Sequence, residues 1–316
     1  MPGKLVVKCR APATIANLGP GFDVLGAALE EPRDEVEVSI REGSLEVIVE
    51  DVSGVDSEYI PRDPSRNTSA IAVREVLRRA GVEARVSIRI RKGVPIASGL
   101  GSSGASAAAA AYAVYKALGL KLGVQELVEA AAKAEEASAG APHADNVAPS
   151  LLGGLCIIQS YNPLVIQRFD INLKARVVIA LIKTGVRDRK TEAARRILPK
   201  NIPFEKMVMQ SASLSALVAG LITGNPVLAG YGMTRDYIVE EARSRIYPWL
   251  KTFKEKALEE GAYGCCLCGA GPSIAALVKP ELTRRIEDLF EKIALEYGLE
   301  HRVFTTSFSS LGAFVI

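Results

Sequence analysis

The stretch "ARVSIRIRKGVPIASGLGSSGASAAAA" (residues 84–110) constrains this chain more than any other. Val86, Ile88 and Ile90 alternate with polar residues, the period of a half-buried strand. An alanine-rich run then reads as a helix to about Leu118. Between them lies a loop in which Gly99, Gly101 and Gly104 spell G-x-G-x-x-G. A strand that stops at a glycine loop and opens a helix aims free N–H groups and the positive end of the helix dipole at one point, which suits a phosphate.

Three readings of the loop compete. A dinucleotide fold needs an acidic residue about twenty positions on, at the end of a second strand. That position falls in "LGLKLGVQELVEAA", which reads as helix and turn. A Walker A loop needs a lysine after its last glycine, and none is present. There remains a loop that neutralises phosphate charge with amides, hydroxyls and a metal ion, with Ser98, Ser102, Ser103 and Ser106 supplying hydroxyls. A glycine-rich helix start without a ligand is the plain alternative.

The rest of the chain limits the choices further. Its 316 residues, 48% hydrophobic and 24% charged, suffice for two domains with a substantial core. A net charge of +3 and 6% aromatic residues give no basic–aromatic surface for nucleic acid. Met1–Arg10 reads as a strand rather than a secretory signal. The longest apolar run, Ala105–Leu120, is mostly alanine and contains Lys116. These features predict a soluble, cytoplasmic protein with no nucleic-acid or membrane partner.

Strands are expected in "DEVEVSI", "SLEVIVE", "LGGLCIIQ" and "ARVVIALI", with strand–loop–strand in "CCLCGAGPSIAALV" and a closing strand at the C-terminus. Helices are expected over about 67–80, 124–139, 191–198, 204–223, 250–261 and 281–297. Turn residues near 165–170 mark the change from a first domain (1–167) to a second (168–316). Cys265 and Cys268 form a C-x-x-C, but no second ligand pair accompanies them, so the cysteines read as small buried residues. Of two histidines, His301 reads as a surface residue and His143 lies in a polar turn.

One carboxylate stands out by helical spacing. In the helix after Val124, Val128, Ala131, Glu135 and Ser138 share one face, and Glu129, Lys133 and Glu136 share another. Glu135 therefore lies on the apolar stripe, where a carboxylate wants a partner such as a metal, unless it reaches solvent at the stripe's edge.

"PIASGLGSSG" (Pro95–Gly104) resembles the phosphate loop of the GHMP kinases, P-x-x-x-G-L-G-S-S-A, with Gly104 in place of the common alanine. "APATIANLGPGFDVLG" (Ala11–Gly26) is similar to the opening of the homoserine kinases, with Ile15 where serine is common. "PHADNVAPSLLGG" (Pro142–Gly154) also resembles that family, and "CGAGPSIAAL" its third, glycine-rich motif. The resemblance implies an α+β chain of the GHMP kinase fold. Its N-terminal domain would be like ribosomal protein S5 domain 2, its C-terminal domain ferredoxin-like, and the chain commonly a homodimer.

The implied activity is ATP- and Mg2+-dependent phosphorylation of the side-chain hydroxyl of homoserine, on the route to threonine. Another small alcohol such as shikimate or mevalonate is the alternative acceptor. ATP would meet Pro95, Ile96, Ala97, Ser98, Gly99, Leu100, Gly101, Ser102, Ser103, Gly104 and Ala105. Thr191 would start a helix facing the anion, and Asn67 would touch adenine or merely cap its helix. Magnesium would take Ser103 and Glu135.

Asn17, Asp23, His143, Arg195 and Arg243 would form the acceptor shell. The arginines would take the carboxylate and Asp23 the ammonium, with Arg196 and Arg245 as rivals in register. Asn146 would orient the hydroxyl, or Asp145 would act as general base. Gly269, Gly271 and Ser273 would close against the phosphate loop or form a tight turn without a ligand. A nucleotide-binding regulator without catalysis and a NAD-dependent enzyme are the rivals from other classes. The retained Glu135, Asp145 and Asn146 weigh against the regulator.

Overall fold

The computed structural model describes residues 4–139, 144–185 and 190–316, with backbone alone at 137–139, 190 and 191. The chain opens with β1 (Leu5–Asn17) and a long second strand, β2 (Gly21–Arg41), followed by β3 (Glu46–Gly54), α1 (Thr68–Ala80) and β4 (Arg85–Lys92). Next come α2 (Ser102–Leu118), α3 (Val124–Ala139), α4 (Ala144–Leu152), β5 (Leu155–Tyr161) and β6 (Leu164–Phe169). These strands and the C-terminal β11 (Phe314–Val315) form a seven-stranded sheet with the path β11-β1-β2-β4-β3, while β5 joins β2 and β6 joins β5. Among the described residues of this sheet, only β3 and β4 run parallel.

The alternation read in the sequence is the pleat of this sheet. Val86, Ile88 and Ile90 face inward beside Val36, Val38 and Ile40, and α1, α2 and α3 cover them. The alanines of α2 explain the close packing. Ala107 through Ala111 are fully buried, and small side chains let this helix lie deep between the sheet and α1.

The second half contains β7 (Arg176–Lys183), α5 (Lys190–Arg196), α6 (Phe204–Thr223), α7 (Pro226–Thr234) and α8 (Val239–Arg243). α9 (Leu250–Glu259), β8 (Gly264–Leu267), β9 (Ile274–Val278), α10 (Thr283–Glu296) and β10 (Glu300–Thr306) complete it. Its four strands form an antiparallel sheet in the order β10-β7-β9-β8. One face packs on α9 and α10, where Phe253 meets the edge of Phe290 at 5.0 Å. The other face, with Val177, Ile179 and Leu181, shares a core with Ile15, Leu25, Leu100 and Leu155 of the first half. The two halves are thus joined by a continuous apolar layer with the glycine loop at its edge.

Several expectations shift. Ala144, Asp145 and Asn146, read as part of a polar turn, begin a helix, α4, whose Val147, Ala148 and Leu151 are buried; Pro149 within the run obscured it. The chain leaves the first sheet after Phe169, so the change-over expected at 167/168 falls inside β6. α6, not Ala105–Leu120, is long and apolar enough to cross a membrane by length and composition. His301 is largely covered, with Nε2 2.7 Å from Glu291 and Nδ1 2.7 Å from the Leu299 carbonyl. The cysteines are buried as expected. Burial pushes the Cys9 and Cys156 thiols up to about 12 and raises those of Cys265 and Cys266 as well.

Candidate active site

A cleft of about 460 Å3 opens between the halves, lined by Asn17, Asp23, Asn67, Gly99, Ser103 and Glu135 together with Asp145, Asn146, Arg195 and Arg243. At one end is the glycine loop, held from beneath by a buried ionic network. Asp34 accepts the N–H groups of Gly93 and Val94, each at 2.9 Å. Its other oxygen meets Lys92 and the Ser106 hydroxyl. The Lys92 ammonium also donates to the Ser102 carbonyl at 2.9 Å and the Ser106 hydroxyl at 2.7 Å. Neither Lys92 nor Asp34 was singled out from the sequence, yet the signal was there. Lys92 continues the inward row Val86, Ile88 and Ile90, and Asp34 continues the inward row of β2.

This network divides the four serines by role. Ser98 donates to the Pro95 carbonyl at 2.8 Å, Ser102 to the Val94 carbonyl at 2.7 Å, and Ser106 belongs to the Asp34 network. Those three hydroxyls shape the loop. Ser103 instead donates to the Glu135 carboxylate across the cleft at 3.0 Å. α2 begins at Ser102, so its first-turn amides lie at the loop's mouth.

Two glycines are required by contact as well as conformation. Gly99 has φ +88°, and a Cβ there would lie 2.2 Å from the Cys268 carbonyl oxygen. Gly101 has φ +67°, and its Cβ would lie 2.2 Å from the Thr14 hydroxyl and 2.7 Å from Asn146 Oδ1. The third motif therefore closes against the loop. Ser273 N–H donates to the Ser98 carbonyl at 3.3 Å, and Gly269 N–H to the Ala16 carbonyl at 3.2 Å. Asn67, on the cleft wall, caps α1: its amide oxygen accepts from Ala70 N–H and its amide nitrogen donates to the Pro61 carbonyl.

Glu135 and Asp145 are both buried in the cleft wall. Desolvation pushes the Glu135 carboxyl up to about 7, against the pull of the Ser103 hydroxyl and Lys92. Asp145 is raised to about 7 by desolvation and by the nearby Asp23 charge, with Arg195 opposing. As the spacing predicted, Val128 and Ala131 are buried with Glu135 while Lys133 and Glu136 pair with each other outside. Asn146 is held by Thr14, whose hydroxyl donates to its Oδ1 at 3.0 Å.

The far end of the cleft is cationic and tightly held. Arg195 makes a bidentate ion pair with Asp23, at 2.7 and 2.8 Å. Arg196 points outward to Glu192. Arg243 is buried, donates to the Gly269 carbonyl at 2.8 Å, and is placed by α8, whose N-terminal amides bind Asp236. Arg245 is exposed. Phe22 lies between the two inner guanidinium groups, 5.1 Å from Arg195 and 5.5 Å from Arg243. Asp23 itself has φ 59° and is clamped on both sides: its N–H donates to Asn17 Oδ1 at 3.2 Å and its carbonyl accepts from the Tyr161 hydroxyl at 2.8 Å. Thr14, Phe22 and Tyr161 carry no periodic signal that singles them out. His143 and the Thr191 side chain lie outside the described residues.

This arrangement places an anion-binding loop, a buried carboxylate beside a hydroxyl, and a pair of arginines around one cavity. Residues 67–154 match the GHMP kinases N terminal domain and residues 217–288 the GHMP kinases C terminal domain. The chain is 42% identical to the homoserine kinase of Aeropyrum pernix, over 90% of this chain and 91% of that one. It is 38% identical to the homoserine kinase of Thermoplasma acidophilum, over 98% and 96%. The crystal structure of homoserine kinase from Cytophaga hutchinsonii superposes with a TM-score of 0.90 at 36% identity, covering 98% of this chain and 97% of that one. Mevalonate kinase of L. major, at 18% identity and a TM-score of 0.70, shares the fold. With identity at this level across nearly the whole length and both halves of the fold matched, the chain belongs to the homoserine kinase family of the GHMP kinases.

Proposed function

We propose that this chain transfers the γ-phosphoryl group of ATP to the side-chain hydroxyl of homoserine, giving O-phosphohomoserine on the route to threonine. The observation that carries the reading is one cleft with the phosphate loop and the Ser103–Glu135 pair at one end and Arg195, Arg243 and Asp23 at the other. Phosphoryl transfer needs positioning and charge neutralisation more than covalent help. The loop from Pro95 through Ala105 receives the phosphates on those of its N–H groups that the fold leaves free, and Thr191 stands at the start of the helix that follows β7.

Ser103 and Glu135 fit a magnesium ion, which prefers hard oxygen donors. A carboxyl held near 7 by burial gains from a divalent cation more than a solvated one does. Bound with the nucleotide, Mg2+ would supply charge neutralisation on the phosphates. The chain's own residues hold the acceptor. A zwitterionic amino acid can exchange both halves of the Asp23–Arg195 pair at once, its carboxylate taking Arg195 and Arg243 and its ammonium taking Asp23. Asn17 and His143 complete that shell. Because Asp23 has an internal partner, its presence alone does not demand an ammonium; the family membership favours homoserine over shikimate or mevalonate.

Asn146, fixed by Thr14, orients the acceptor hydroxyl, whose oxygen bonds the γ-phosphorus as ADP leaves while its proton passes to an oxygen of the transferred phosphoryl group. A second reading makes Asp145 the general base, favoured by its carboxyl near 7, where an ionised fraction exists at neutral pH. Near-normal turnover in Asp145→Asn removes that second reading, and a collapse of kcat with Asn146→Ala active supports it. We read the chain as a cytoplasmic enzyme and a homodimer. The exposed Phe204, Met207, Val208 and Met209 on α6 support a second copy there, and the mass in solution tests it.

The deciding experiment measures ADP release with ATP and Mg2+ against homoserine, shikimate, mevalonate and no acceptor. Release with homoserine alone is expected. Release only with another alcohol overturns the acceptor, and no release despite ATP binding turns the protein into a nucleotide-binding regulator.

A further inference from the structure

Asp56 is a buried carboxylate that none of the roles above uses. It follows β3, sits in the left-handed region at φ 56°, and its side chain is 8% exposed. One of its oxygens accepts from the Lys183 ammonium at 3.0 Å. The other accepts from the Ile96 N–H at 3.2 Å. Its main chain starts the turn that leads to Ile60 and Pro61 on the cleft wall, with Tyr59 N–H donating to the Asp56 carbonyl at 3.1 Å. A single carboxylate thus touches the phosphate loop near its start, the end of β7 and the base of a cleft wall.

The two ends it joins belong to opposite halves of the fold. Ile96 lies in the loop that follows β4 of the first sheet. Lys183 is the last residue of β7 in the second sheet, and the chain continues from it to α5, which carries Arg195. The apolar layer between the halves is non-directional, so it holds them together without fixing their register. Directional contacts fix it: the Ser273–Ser98 and Arg195–Asp23 bonds described above and, at this corner, an ion pair combined with a backbone hydrogen bond. The exposed Glu300 lies 3.9 Å from Lys183, a distant second partner that cannot hold the loop.

We propose that Asp56 is a positioning residue that sets the distance between the phosphoryl-donor loop and the arm that holds the acceptor. This rests on the kinase reading above. Its two contacts have separable consequences. The Lys183 contact governs the acceptor arm, and the Ile96 contact governs the nucleotide loop. Small misplacements of reacting groups are costly in phosphoryl transfer, where geometry supplies much of the rate.

The test uses the full chain with Mg2+, ATP and homoserine, and compares three variants. Lys183→Met removes the cross-half contact and leaves the Ile96 bond, so the homoserine KM rises about tenfold while the ATP KM stays within about twofold. Asp56→Asn keeps an acceptor for Ile96 and tolerates positive φ, so it follows the same pattern. Asp56→Gly removes both contacts without backbone strain, and both KM values rise about tenfold. The Asp56→Gly/Lys183→Met pair raises the homoserine KM no further than Asp56→Gly alone.

Equal changes in both KM values for Lys183→Met, or none in any variant, overturn the proposal. ATP affinity is measured separately by calorimetry. If the parent protein does not phosphorylate homoserine, the acceptor reading has failed. An ATP affinity lowered in Asp56→Gly and unchanged in Lys183→Met then still supports the joint, and any other pattern overturns it.

Discussion

Replacing Glu135 with glutamine should abolish turnover and stabilise the protein at alkaline pH. Burial raises this carboxyl from 4.5 to about 7, so the folded chain holds the proton more tightly than the unfolded chain. The contribution to stability is complete below pH 4.5, falls between 4.5 and 7, and is fully lost above 7. A shift of that size corresponds to about 3 kcal/mol against the ionised form. Glu135→Gln removes the penalty and keeps an acceptor for the Ser103 hydroxyl. With an unfolding entropy of about 2 cal/mol/K per residue, the expected gain in Tm at pH 8 is about 5 °C for a chain of this length. At pH 5 the parent is already protonated, and the gain shrinks to about 1 °C. Thermal unfolding followed by circular dichroism, without divalent cations or nucleotide, measures both. A lower Tm at pH 8, or the same shift at both pH values, refutes the reasoning. Retained Mg2+-dependent turnover in the variant removes Glu135 from the metal site.

Arg195→Met leaves Asp23 without its bidentate partner and removes half of the proposed acceptor clamp; the homoserine KM should rise at least about a hundredfold with the ATP KM unchanged, read from steady-state kinetics. Gly101→Ala forces a side chain into φ +67° and against Thr14 and Asn146. At about 1–3 kcal/mol of strain, kcat should drop at least about tenfold, with far-UV circular dichroism unchanged. Lys92→Met strands the Asp34 carboxylate in the core and should cost about 3–5 kcal/mol in denaturant unfolding, of which the added Asp34→Asn recovers a part. A double variant no more stable than Lys92→Met shows that Asp34 is satisfied by its N–H and Ser106 partners alone.

The local part of this molecule was legible because it is periodic or chemically rare. Alternation gave β4 and the paired strands of β2, and a 3.6-residue stripe put Glu135 inside and Glu136 outside. The glycine and serine content of residues 98–104 marked an anion loop, and the buried cysteines followed from their apolar neighbours. α4 was misread because Pro149 and the polar "HADN" stretch look like a turn, whereas Val147, Ala148 and Leu151 bury one face against the sheet. α7 and α8 are absent from the expected helices because they are short, and Asp236, which caps α8, carries no period of its own.

What the sequence by itself determined is which segments pleat or coil, which faces turn inward, and that the loop after β4 suits phosphate. These follow from backbone sterics and hydrophobic period, which act over a few residues. Only the tertiary structure decided which serine faces the Glu135 carboxylate, which arginine of each neighbouring pair turns inward, and that Asp23 and Arg195 pair with each other. It alone put Lys92 against Asp34 and Asp56 between Ile96 and Lys183. Those pairings join residues far apart in the chain, and charge and hydrogen bonding select among partners only after the apolar layer has brought the two halves within reach.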